Sequence, residues 1–303
     1  MDKLAAPPLP RWLDRLVPFQ RYRVNVGGGV RMHVMETGQG LPVVLIHGNP
    51  TWGFLYRKVA ARLADAGLRI IMPDLIGLGF SDKPRDGSAH QLEAHIRWMR
   101  RLLEQLELDQ CVLGVQDWGG AIGVGALGEL GEVQTGLVVL NTVLSPPKPG
   151  FRPTAFHRFA RMPVVSDVAF RLLGFPQTTM NMAQGDKRSI RGATARAYRY
   201  PLRKLGENVA PLAMARMVPD DERHPSIEPL RRCQRWVESF DGPAAIVWGD
   251  RDPVLGRVRS WMERLFPQAP VTRTAAGHFL QEEVPDEIAA AVRYVAGELG
   301  ATS

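Results

Sequence analysis

Cysteine is nearly absent from this chain: Cys111 and Cys233 are the only two in 303 residues. Two distant thiols make neither a disulfide framework nor a cysteine metal pattern. Cys111 opens an apolar run, so a packed, free thiol in a reducing compartment is expected. Apolar runs long enough to cross a bilayer are also missing, and Met1 to Leu16 has no continuous apolar core of signal-peptide length. A soluble, cytoplasmic protein without a membrane is therefore expected. Six of the seven histidines, His33, His47, His90, His95, His157 and His224, form no ligand cluster, so neither a metal nor another cofactor is implied. The chain shows no internal repeat and no low-complexity tract. Tryptophan is missing from residues 146–231.

Positive charge, in contrast, is in excess. The net charge of +7 comes largely from arginines between Arg152 and Arg203, including Arg158, Arg161, Arg171, Arg188, Arg191, Arg196 and Arg199. Nucleic-acid binding would need a reader motif or an aromatic platform beside such a face. Neither accompanies it, and the arginines read as a solvated surface. The 45% hydrophobic and 23% charged residues are ordinary for a globular chain, and the length suits one large α/β domain or a core with an insertion.

Taken in order, Arg21 to Val26 and Arg31 to Glu36 read as strands joined by the Gly27-Gly28-Gly29 turn. Val43 to Ile46 is a buried strand ending in His47-Gly48-Asn49-Pro50-Thr51. A helix with Phe54, Leu55, Val59 and Leu63 on one side is expected next. Arg69 to Met72 is another strand, and Leu92, Ile96, Met99, Leu103 and Leu106 recur at helical spacing. Cys111 to Val115 and Leu137 to Leu140 are buried strands flanking a helix. Strands alternating with helices imply crossover units and a mostly parallel sheet. The rhythm breaks at Ser145-Pro146-Pro147 and returns with the strand Ala244 to Trp248, a short strand Val271 to Thr274 and a helix from Pro285 to Leu299. The expected division is core 1–145, helical insertion 146–231 and core 232–303.

Three strand ends carry chemistry. Val115-Gln116-Asp117-Trp118-Gly119-Gly120 has the layout of a nucleophile elbow, a tight strand-to-helix turn that lifts one side chain above the sheet. Asp is also a favoured N-cap, so Asp117 by itself could equally cap the helix that follows. Gly249-Asp250-Arg251-Asp252-Pro253 and Ala275-Ala276-Gly277-His278-Phe279 end two later strands. Nucleophile, acid, histidine is the chain order of an α/β-hydrolase triad, and ligands bind at such carboxyl ends. That order favours catalysis by Asp117 and His278 over capping and over a packed histidine. Asp250 and Asp252 remain equal candidates for the acid.

His47-Gly48-Asn49-Pro50-Thr51-Trp52, Asp74-Leu75-Ile76-Gly77-Leu78-Gly79-Phe80-Ser81-Asp82-Lys83-Pro84, Val115 to Gly120, Trp248 to Pro253 and Gly277 to Glu282 together resemble the haloalkane dehalogenases. The likeness covers the core from about residue 10 to the C-terminus and is looser in the insertion, chiefly at Ala197 to Pro201. It implies an α/β-hydrolase core, with a mostly parallel central sheet flanked by helices, and an inserted helical cap domain. It further implies Asp117 as nucleophile, His278 as base and Asp252 as acid. Asn49 and Trp118 would bind halide through their side chains and form an oxyanion hole with their backbone N–H groups. Asn141 to Ser145, where some members carry the acid, offers no carboxylate. The lack of a cap tryptophan favours Asn49 as the second halide donor.

The implied reaction turns a halogenated alkane and water into an alcohol and a halide ion. A carboxylate with a reference pKa of about 3.9 is already ionised at neutral pH, so displacement of halide needs no base. Hydrolysis of the resulting ester does need one. Phe170, Leu172, Leu173, Phe175, Met180 and Met182 are candidate pocket walls. An epoxide hydrolase would share the Asp–His–Asp set, but needs acidic donors such as Tyr198 and Tyr200, which two-residue spacing puts on different helix faces. A catalytically silent ligand-binding homologue is the third reading.

Overall fold

The computed structural model describes the chain apart from residues 149, 205, 302 and 303, so the last two positions of the expected core segment lie outside the described residues. Nine strands form one sheet: β1 (Leu4–Ala5), β2 (Gln20–Asn25), β3 (Arg31–Thr37), β4 (Leu41–Ile46), β5 (Leu68–Pro73), β6 (Gln110–Asp117), β7 (Gln134–Thr142), β8 (Ala244–Gly249) and β9 (Val271–Thr274). Their spatial order is β1-β2-β3-β5-β4-β6-β7-β8-β9. The first three strands and the β3–β5 pair are antiparallel; from β5 to β9 every pairing is parallel. The α/β class, the Gly27–Gly29 hairpin and the alternating strands thus match the sequence expectations. The two-residue β1 was not anticipated, because two residues carry no periodicity.

The central strands read as continuous apolar runs because both faces of the sheet are covered. Val44, Ile46, Leu113 and Val115 point into one buried cluster, and Val43, Leu45 and Val112 into the other. Helices Leu92–Leu106, Trp118–Leu127 and Ile227–Glu238 cover the first face, and Pro285–Ala301 the second. Burying each such side chain contributes about 1.5–3 kcal/mol. The expected helix at Phe54 is instead a 3-10 turn, Gly53–Tyr56, followed by the helix Arg57–Arg62. The buried Asp74 carboxylate accepts from Gly53 N–H at 2.8 Å and holds that tighter turn from a distant strand end.

The strand order positions the site. The chain runs outward from β4 to β5, then returns to place β6 on the other side of β4. Ile46 pairs with Val115 in parallel register, so the loops leaving β4 and β6 emerge side by side at this switch point.

Among the described residues no strand lies between Thr142 and Ala244. That stretch has its own small apolar cluster of Ala160, Phe170, Leu212 and Ala215, with Phe170 and Phe175 edge-to-face at 5.0 Å. The helix Ile227–Glu238 runs across position 231 and is tied to the core, where Cys233 Sγ meets Ala121 O at 3.3 Å. No helix among the described residues is long and apolar enough to cross a membrane.

Candidate active site

Asp117 ends β6 and immediately precedes the helix Trp118–Leu127, with φ 51° and ψ −130°. That backbone conformation is strained for a residue with a Cβ, at a cost of about 1–3 kcal/mol, and persists where its surroundings over-determine it. Here they do. A Cβ at Gly119 would lie 2.3 Å from Ile46 O, so the helix start presses directly on β4, and Thr142 Oγ1 donates to Asp117 O at 2.6 Å. Asp117 stands in the N-cap position, yet its side chain makes no capping bond. Its Oδ1 instead accepts from Asn49 N–H at 2.7 Å. Gly48 is required beside it, because a Cβ there would fall 2.1 Å from that same oxygen.

His278 sits beyond β9 and is almost fully buried. Its Nε2 lies 3.6 Å from Asp117 Oδ2, and its Nδ1 lies 2.8 Å from Asp252 Oδ2. Between the two acids left open by the sequence, geometry is unambiguous. Asp252 faces the histidine and also braces its own loop, since its Oδ1 accepts from Val254 N–H at 2.7 Å and Leu255 N–H at 3.1 Å. Asp250 does neither: it bridges Arg259 and Arg273 at the surface, at 3.0 and 2.9 Å. Asp252 thus has an oxygen for each task, one for its own loop and one for the histidine.

The electrostatics follow from burial and pairing. Burial raises the Asp117 carboxyl above its ordinary value, against the pull of His278 and of the Trp118 and Asn49 backbone N–H groups. Burial also raises Asp252, but His278 and the Asn141 amide outweigh it and the net shift is downward. For His278 burial opposes charge, yet Asp252 and then Asp117 overcome it and lift the imidazole to about 9. With Asp117 ionised, the histidine therefore rests as an imidazolium between two carboxylates.

Asn49 and Trp118 both line the cavity above Asp117, which has a volume of about 920 Å³. One Asn49 amide N–H donates to Pro211 O at 2.9 Å, leaving the second free to point elsewhere. The Trp118 indole N–H has no hydrogen-bond partner among the described residues and can serve a bound anion. Phe175, Met180 and Met182 line this cavity as expected. Phe170 does not: it is wholly buried in the helical segment. Leu172 and Leu173 also depart from expectation, being exposed and lining a separate concavity.

Two residues of the site escaped the sequence reading. Asn141, at φ 26° near the end of β7, donates to Asp252 Oδ2 at 2.8 Å and to Gly249 O at 3.0 Å, while its own oxygen accepts from Gly249 N–H at 2.7 Å. Gln116 donates to His278 O at 3.1 Å. An amide at a buried strand end beside the elbow was the available signal. His47 is structural: its ring bonds Gly48 O at 2.9 Å and accepts from Leu75 N–H at 2.9 Å, joining two loops. No group of three metal-ligating side chains occurs among the described residues.

The tyrosines needed by the epoxide reading are elsewhere. Tyr198 is buried and bonds Glu282 at 2.6 Å, Tyr200 lines the separate concavity, and no tyrosine lines the cavity over Asp117 among the described residues. His157 does line it, but burial and then Arg161 and Arg257 lower its pKa to about 4, so it is a neutral imidazole and not an acidic imidazolium at neutral pH.

Comparison with known proteins follows the same lines. Residues 42–285 match the model of the α/β-hydrolase fold family. A haloalkane dehalogenase of Mycobacterium marinum is 34% identical over 284 residues, covering 90% of this chain and 92% of that one. A cis-3-alkyl-4-alkyloxetan-2-one decarboxylase of Shewanella oneidensis is 30% identical over 291 residues, covering 93% and 90%. Among solved structures, the haloalkane dehalogenase DpaA of Paraglaciecola agarilytica superposes with a TM-score of 0.78 at 26% identity, over 96% of this chain and 97% of that one. The chain therefore belongs to the haloalkane dehalogenase family of α/β-hydrolase-fold proteins.

Proposed function

We propose that this protein hydrolyses the carbon–halogen bond of haloalkanes through a covalent ester on Asp117. The observation that carries the proposal is the Asp117 carboxylate, held by Asn49 N–H at 2.7 Å and facing His278 Nε2 at 3.6 Å, under a cavity that also presents the Trp118 indole. An Asp117 oxygen attacks the carbon bearing halogen and the carbon–halogen bond breaks. The departing halide is a weak base that needs donors and no proton; the Trp118 indole N–H and the free Asn49 amide N–H suit it. The positive end of the helix Trp118–Leu127 adds to the same field.

Esterification removes the charge on Asp117. His278 then keeps one carboxylate partner instead of two, and its pKa falls toward the range of a working base. Oriented by Asp252, it takes a proton from water, which attacks the ester carbonyl. The Asn49 and Trp118 backbone N–H groups receive the oxyanion, and alcohol is released with Asp117 restored. Residues 146–231 act as a cap over this cavity. Buried, free Cys111 and Cys233 support a reducing, cytoplasmic setting. Halide release from a terminal bromoalkane, with the matching alcohol as co-product, tests the proposal. No halide from any bromoalkane would reject it.

The Shewanella relative favours a second reading, decarboxylation of a cis-3,4-dialkyl oxetan-2-one. Asp117 would attack the saturated ring carbon bearing oxygen, and the ring carboxylate would leave toward the donors that otherwise take halide. Loss of carbon dioxide then sends its bonding electrons into the new alkene and expels Asp117. No water is consumed, so alkene and carbon dioxide without halide or alcohol distinguish this outcome.

A further inference from the structure

The cavity over Asp117 is lopsided in charge. Asp117 is its one acidic lining residue among those described, whereas Lys148, Arg152, Arg257 and Arg264 all line it and all are exposed. Nearby arginines have acidic partners: Arg259 pairs with Asp250 and Glu263, and Arg161 with Asp220. The four lining cations pair with no acid among the described residues. Three of them are held by aromatic faces and a carbonyl instead. Lys148 Nζ and the Arg264 guanidinium lie over the same Trp261 ring, at 4.6 and 5.1 Å from its centre. Arg257 lies over Phe151 at 5.2 Å and donates to Arg152 O at 3.4 Å. Trp261 is itself fixed by its N–H bond to Ser145 Oγ at 2.7 Å.

Like charges gathered at one mouth repel each other and attract any anion that relieves them. Two of them, Lys148 and Arg152, follow β7, and two, Arg257 and Arg264, follow β8, so the sheet brings both pairs to one opening. The remaining wall is largely apolar, including Phe156, Met180, Val254 and Leu255. An apolar channel with Asp117 at its floor and cations at its exposed mouth fits an amphiphile. We propose that the site selects alkyl chains whose reactive carbon reaches Asp117 and whose far end carries an anionic head group such as a carboxylate. This rests on the proposed displacement at Asp117 and adds the substrate class. It also excludes short haloacids, in which the substrate carboxylate would be forced against the Asp117 carboxylate.

Binding and turnover can be read separately. Binding is measured on the intact protein with octanoate and 1-octanol, following the fluorescence of the cavity tryptophans Trp118 and Trp261. Octanoate should bind roughly tenfold more tightly at low salt, and 0.5 M salt should erase most of that margin, as expected for exposed charges. The double variant Arg257→Gln/Arg264→Gln alters exposed side chains without acidic partners. It should bring the ratio close to one while 1-octanol binding is unchanged. For turnover, 8-bromooctanoate should exceed its methyl ester in kcat/KM by a similar factor, through KM, and 2-bromopropionate should release no halide. Octanoate binding no tighter than octanol, or a ratio indifferent to the double variant, would overturn the inference. If octanoate binds as expected but no bromide is released from acid or ester, the displacement reading fails and the anion preference stands.

Discussion

His278 Nε2 stands 3.6 Å from Asp117 Oδ2, beyond a normal hydrogen bond, while its other nitrogen is bound at 2.8 Å by Asp252. The asymmetry divides the labour between the two sides of the ring. One side is fixed in orientation, and the other makes only a long contact with the nucleophile. It also makes the charge on His278 depend on whether Asp117 is free or esterified.

Replacing His278 with Phe should stop the reaction after the first displacement. Mixed with a bromoalkane, this variant should release at most one bromide per chain. Intact-protein mass spectrometry should show a single alkyl group, mapped by peptide sequencing to Asp117. Continued turnover by an unalkylated variant would contradict the ester mechanism.

Asp252→Asn and Asp250→Asn should behave differently although they are two residues apart. The first removes the carboxylate that orients and supports His278, and steady-state turnover should fall by about 10³–10⁴, with the alkyl ester accumulating. The second breaks surface bridges to Arg259 and Arg273 worth about 0–1 kcal/mol, so turnover should be near wild type with a small loss in thermal midpoint.

Trp118→Phe keeps a ring in place and deletes the indole donor. A hydrogen bond to a charged group contributes about 1.5–3 kcal/mol, so the rate of bromide release in a single turnover should drop on the order of tenfold to a hundredfold. Unchanged release would remove Trp118 from the halide site.

Stability should depend on pH through His278. Its folded value of about 9 exceeds the unfolded value of about 6.5, so the folded protein binds the extra proton. The resulting stabilisation is fully present below pH about 6.5 and is lost as pH rises through 9. Urea unfolding across that window should show a steeper decline for wild type than for His278→Phe. On the acid side, the raised value of Asp117 means that alkylation should fade at a higher pH than an ordinary carboxylate would give. Rapid-quench measurement of the first displacement reads that limb.

Much of this protein was decided locally and could be read in the chain. Val43 to Ile46, Cys111 to Val115 and Ala244 to Trp248 are apolar and rich in β-branched residues, so they specify strands buried on both faces. The small residues after Asp117 permit the helix to start against β4, which makes the elbow legible. The order of Asp117, an acid in the loop after β8, and His278 follows from where strands end. Other features belong to the tertiary structure because they depend on direction and contact between distant segments. Asp250 and Asp252 are chemically identical in sequence, and only the docking of β9 beside β8 turns Asp252 toward His278. Asn141 gains its role from β7 lying next to β8. Phe170 and Leu172 lie two positions apart on a helical stretch, yet one is buried among other helices and the other is exposed. Periodicity marks an apolar residue for burial, but which neighbour receives it is set by long-range packing.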